Sequence, residues 1–185
     1  MKKIILPMFC VLLLCGCSGY KEINNGYLVT AIAFDKTEDN SQIILNTILP
    51  EGTDETIILT GSGHDFNSAF GELKKSQVKT LYFEHCGVLA VKKDIPKNEL
   101  VDILKFCKDK IRLPIAVRTI YCTDATALFK ADRTGYDVIT LINNSGTKTD
   151  NRLYSLGRKI SDKNDFSLPL ITTRAGTIYF EGEIE

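Results

Sequence analysis

Two histidines, His64 and His85, and the thiols of Cys86, Cys107 and Cys122 are the side chains best suited to nucleophilic or metal chemistry in this sequence. A Cys-His pair activates a thiol only when the imidazole can take its proton. His85 and Cys86 are neighbours in a strand-like run, so their side chains point to opposite faces and do not meet. Catalysis by Cys86 with His64 needs a tertiary approach that their spacing does not supply. Both histidines are therefore expected to be surface or hydrogen-bonded structural residues. No two of the three cysteines have the CxxC spacing of a metal or redox pair. Cys107 falls on the apolar face of a predicted helix, and Cys86 and Cys122 lie in strand-like runs. The expectation is three small buried hydrophobes, with one disulfide as the alternative open to an exported chain.

Gly61-Ser62-Gly63-His64 lacks the lysine of a phosphate-binding loop and the GxSxG spacing of a serine nucleophile. It reads as a turn between a strand and a helix. Asp35, Glu38 and Asp39 lack the spacing of a calcium loop and read as hairpin-turn residues. Lys92-Lys93-Asp94 and Lys108-Asp109-Lys110-Ile111-Arg112 are charge clusters with acids interleaved, and they read as solvated faces. No catalytic, cofactor-binding or metal-ligating residue is assigned, and the chain is expected not to be an enzyme.

One further cysteine has a chemistry of its own. Lys2 and Lys3 precede an uncharged run over residues 4–15, and Gly16 and Cys17 follow it. This is the layout of an export signal. A helical run of that length rises about 18 Å, short of a hydrocarbon core about 30 Å thick, and Pro7 interrupts it. A permanent transmembrane helix is therefore rejected. Leu14-Cys15-Gly16-Cys17 resembles the bacterial lipobox, which implies cleavage after Gly16 and acylation of the Cys17 thiol. Residues 1–16 are thus expected to be a lipoprotein signal peptide and residues 17–26 a lipidated tether. Two acyl chains such as palmitate anchor stably where one is marginal, at about 0.8 kcal/mol per buried CH₂.

The elements that follow must position whatever the chain uses. It has 185 residues, 23 basic and 23 acidic, with zero net charge, so no long-range field draws it to nucleic acid. Strands are predicted over 27–35 and 42–49 as a hairpin, with a shorter one over 56–60. Phe66, Ala69, Phe70 and Leu73 have the i, i+3, i+4, i+7 spacing of a helix face, with Lys74 and Lys75 in its last turn. Strand-like pieces cover 80–83 and 86–92. Pro96 opens a helix carrying Leu100, Ile103, Leu104 and Cys107, and Pro114 marks its exit. A strand is predicted over 115–122, and a short helix capped by Thr123 or Asp124 runs through Leu128. Residues 136–142 are ambiguous between helix and strand. A helix over 151–160 is weakened by Gly157, and strands over 168–173 and 177–180 close the chain about Ala175-Gly176. The fold class is α+β: a mixed, largely antiparallel sheet with packed helices, forming one domain over 27–185.

The order of these motifs resembles the Ger(x)C family, the lipoprotein C subunits of spore germinant receptors. Gly16-Cys17-Ser18-Gly19-Tyr20-Lys21-Glu22-Ile23-Asn24 is similar to the family's opening, and the strand ending at Phe34-Asp35 follows in family order. Leu81-Tyr82-Phe83-Glu84-His85-Cys86-Gly87-Val88-Leu89 is similar to its tyrosine–histidine strand region. Ile111-Arg112-Leu113-Pro114, Leu168-Pro169-Leu170-Ile171 and Gly176-Thr177-Ile178-Tyr179-Phe180 come in the same sequence. Ser18 stands where the family usually has Trp. The resemblance covers the N-terminal domain, and the C-terminal domain of the family is expected to be absent. It implies a membrane-anchored, non-enzymatic subunit in the spore inner membrane, facing outward. The implied partners are A- and B-type integral membrane receptor subunits, with the membrane reached through the lipid. Two readings stand beside it: an exported ligand-binding lipoprotein serving a transporter or sensor, and an exported hydrolase using Cys86 or a serine.

Overall fold

A computed structural model describes residues 26–36, 41–48, 56–131, 135–147, 149–162 and 164–184. The expected signal peptide, Cys17 and the residues of the first hairpin turn lie outside the described residues. The first three strands are β1 (Gly26–Lys36), β2 (Ser41–Ile48) and β3 (Thr56–Gly63). Helix α1 (Phe66–Ser76) leads to β4 (Thr80–Tyr82) and β5 (Val88–Lys92). Helix α2 (Lys97–Phe106) runs into a wide π-type turn, Cys107–Ile111, before β6 (Arg118–Cys122). Helices α3 (Ala125–Ala131), α4 (Tyr136–Asn144) and α5 (Leu153–Ser161) precede the closing hairpin of β7 (Leu168–Arg174) and β8 (Thr177–Ile184).

All eight strands form one sheet, in the order β3-β2-β1-β5-β6-β7-β8, with β4 also on β1. The α+β class and mixed sheet expected from the sequence are what the fold has. The longest ladders are antiparallel: β1 with β2, β2 with β3, and β7 with β8. Between them, β1, β5, β6 and β7 run parallel, because each of the last two crossovers is made by helices.

The sheet is covered on both faces. One core holds Ile32, Phe34, Leu73, Leu89, Leu100, Ile103 and Leu156 under α1, α2 and α5. The other holds Ala31, Ala33, Val88, Ala90, Ile120, Leu128 and Ile142 under α3 and α4. Small alanines on the second face let α3 pack close. Aromatic rings fill the first face: Phe34 meets Phe66 edge-on at 5.1 Å, and Phe70 meets Phe106 at 5.6 Å. Such pairs add about 0.5–1.5 kcal/mol beyond the area they bury.

A β-bulge sits between Val29 and Ala31. It breaks the two-residue alternation, so Val29 and Ile32 both face the first core. It also divides the parallel pairing of β1: residues before it pair with β4, and residues after it pair with β5. The carbonyl of Thr30 accepts from the Gly87 N–H at 2.8 Å, and its hydroxyl donates to the Asn46 carbonyl at 3.2 Å.

Several boundaries differ from the sequence reading, and one ambiguity is resolved. Gly61-Ser62-Gly63 is not a turn but the end of β3, paired with Ile43, Gln42 and Ser41. Residues 115–117 precede β6 rather than belonging to it. Residues 136–142 are helical, within α4.

Candidate functional site

The three cysteines are buried free thiols. Cys86 and Cys107 lie in the first core and Cys122 in the second, so the sheet separates Cys122 from the other two. Burial pushes the Cys86 and Cys122 thiols up to about 12, and raises Cys107 well above its usual range. A thiol so placed holds its proton at neutral pH and is a poor nucleophile. Cys86 donates to the Val88 carbonyl at 3.5 Å, while His85 is exposed in the turn before β5.

His64 and its neighbours form a Ser-His-Asp grouping at the surface. Its Nδ1 is 3.2 Å from the Ser68 hydroxyl, and its Nε2 is 3.3 Å from Asp65. The arrangement is a helix cap. Asp65 accepts from the Ser68 N–H at 2.7 Å, and the Ser68 hydroxyl accepts from the Asp65 N–H at 3.1 Å. These are the reciprocal bonds of a capping box at the start of α1. The Ser68 backbone and hydroxyl hold the Asp65 carboxyl below its usual range. That hydroxyl also lies 2.9 Å from the Asp65 carbonyl and 2.8 Å from its carboxylate. Acceptors therefore surround the Ser68 proton.

Asp35, considered as a turn acid, instead pairs with Lys92 across β1 and β5 at 2.8 Å. That hydrogen bond raises Lys92 above its ordinary value. Among the described residues, no three His, Cys, Asp or Glu side chains are grouped to hold a metal ion. No helix among them is long and apolar enough to cross a membrane.

A groove of about 510 Å³ lies between α2 and α5. Leu104, Leu113 and Ile160 form much of its apolar lining, with Lys105, Lys108 and Arg158 beside them. Ile115 and Tyr154 project at one end, 72% and 63% exposed. The Tyr154 N–H donates to the Ile115 carbonyl at 3.3 Å, which fixes the two together. The lining supplies cations and apolar surface but no thiol, imidazole or carboxylate, so it suits contact rather than acid–base chemistry. Sequence reading placed Ile115 in a strand and Tyr154 on a helix face, and it missed this surface. Pro114 before Ile115 was its one local signal, because proline ends the preceding structure.

Residues 19–173 match the family model described as the spore germination protein N-terminal domain. No curated protein and no solved structure matches the chain.

Proposed function

This chain belongs to the spore germination protein N-terminal domain family and has a role in germination; from that premise we propose that it is the lipid-anchored C-type subunit of a nutrient germinant receptor. Cys17 carries the lipid and holds the domain on the outward face of the spore inner membrane. The domain works by association with A- and B-type integral membrane subunits, and catalysis has no part in the reading. The observation that carries the proposal is the family match across residues 19–173. The lipobox at Leu14-Cys15-Gly16-Cys17 supports the anchor, and the absence of an activated nucleophile among the described thiols agrees with a binding role.

The test uses a tagged chain expressed in sporulating cells fed labelled palmitate. Wild type should carry label, and Cys17→Ala should carry none. Detergent-solubilised spore membranes should yield two integral membrane subunits with the wild-type tag. Deletion of the gene should slow the loss of spore optical density with nutrients. Equal label in both chains would refute the anchor. Recovery of no membrane subunit, with germination unchanged on deletion, would refute the receptor role.

A further inference from the structure

The parallel strands give the domain two unlike ends. Strand β1 begins at Gly26, level with Thr80 of β4, and β5 and β6 begin at the same end. Helices α1 and α2 lead into β4 and β6, so their C-termini also lie there. Phe70 of α1 touches Phe106 of α2. Lys74 and Lys110 each lie one helical turn beyond those rings, on either side of the seam, with the Lys74 ammonium 4.6 Å over Phe70. Lys75 follows Lys74 in the chain, and the Lys79 ammonium lies 5.6 Å over the Tyr27 ring at the start of β1. Asp109 lies in the same turn as Lys110, and Glu72 lines one hollow with Lys75, so the end carries two acids among its lysines.

Apolar side chains project at this same end. Val78, between Lys75 and Lys79, has a relative exposure of 104%. Ile115 and Tyr154 project just before β6. Helix dipoles account for lysines at the ends of α1 and α2, but they do not account for a bare valine between two of them. Basic side chains around protruding apolar ones match the charge and depth profile of an anionic lipid interface.

The tether supplies the geometry. From Cys17 to Gly26 an extended chain spans at most about 30 Å. If Cys17 is acylated, as the proposed function holds, the Gly26 end of the domain is the one kept near the membrane. We infer that this end, with Lys74, Lys75 and Lys79 flanking Val78 in the chain and Lys110 at the end of the adjoining helix, docks on anionic lipid headgroups and fixes the orientation of the domain over the membrane. The inference rests on the anchor reading and would give the lipid a second task beyond retention.

The test uses the mature, lipidated full chain in vesicles of phosphatidylcholine with and without phosphatidylglycerol. A polarity-sensitive fluorophore is placed at Val78→Cys or, at the opposite end, at Tyr179→Cys. The probe at 78 should shift to the blue and be quenched by spin-labelled headgroups when phosphatidylglycerol is present. The probe at 179 should stay in water. With Lys74→Glu, Lys75→Glu and Lys79→Glu added, the ratio of docked to free probe should fall at least ~10-fold, since each cation near such a surface contributes roughly fivefold. High salt should reproduce that fall without any substitution. A chain that fails to float with the vesicles overturns the anchor reading and this inference with it. A chain that floats while the two probes behave alike overturns the docking inference alone. Docking that is insensitive to phosphatidylglycerol and salt, or that arises only with the membrane subunits present, also overturns it, and the latter gives the surface to a protein partner.

Discussion

At the residue scale, burial decides what the thiols do. Cys86, Cys107 and Cys122 behave as small hydrophobes because the uncharged form is the one a dry core tolerates. Iodoacetamide should leave all three unmodified in the folded protein near neutral pH and alkylate all three in denaturant, as read by peptide mass. Rapid modification of any of them in the native state would contradict the packing. Asp150 is the opposite case. The Arg152 guanidinium lies 2.8 and 2.5 Å from its two oxygens, and the Ser155 hydroxyl donates at 2.6 Å. Together they hold its carboxyl well below the usual range, with Arg152 the larger cause. A depressed carboxylate contributes stability that is present above its unfolded value near ~3.9 and is lost as pH falls toward the folded value. Asp150 is 35% exposed, so solvent screens the pair and the contribution is about 1 kcal/mol. Denaturation of Asp150→Asn should show that loss near neutral pH and a shrinking difference from wild type as pH falls below ~4.

At the element scale, the glycines of β3 set how closely α1 packs. A Cβ on Gly61 would lie 2.3 Å from the Ala69 carbonyl oxygen, and one on Gly63 would lie 2.6 Å from the Ala69 nitrogen. Both obstacles are backbone and cannot swing away. Gly61→Ala should therefore lower stability by about 1–3 kcal/mol, measured by urea denaturation. Gly157→Ala in α5, where an added Cβ meets nothing within 4 Å, serves as its control and should not destabilise. The sequence shows glycines and suggests a turn, because glycine more often frees a backbone than admits a neighbour. Only the partner helix reveals the second use. The amphipathic spacing of α1, by contrast, is local: Ala69, Phe70 and Leu73 are buried as their spacing predicts. Asp124, one of the two expected caps, accepts from the Ala127 N–H at 2.9 Å, for the same local reason.

At the whole-molecule scale, zero net charge leaves open where the charges sit. The equal numbers of acids and bases in the sequence say nothing of where they sit. Folding brings α1 and α2 into contact through Phe70 and Phe106, although the two helices lie far apart in the chain. Of the clusters read as solvated faces, Lys93, Asp94, Lys108, Asp109, Lys110 and Arg112 are exposed, whereas Lys92 is half-buried against Asp35 and Ile111 is buried. The proposed orientation over a membrane therefore depends on the entire domain, which is what the vesicle experiment probes. The proposed association with membrane subunits likewise depends on the whole domain rather than on one residue.

The family, the α+β class, most helices and strands, and the expectation of an acylated Cys17 are legible in the residues, because each is written in positions close along the chain. The sequence also predicted buried cysteines, since apolar neighbours mark a core. The tertiary structure alone decided the parallel centre of the sheet, the bulge at Thr30 that divides β4 from β5, the β3–α1 contact through Gly61 and Gly63, and the exposure of Ile115 and Tyr154. Those features depend on which distant segment lies alongside. A one-dimensional pattern records the periodicity of a face but not the identity of the surface that meets it.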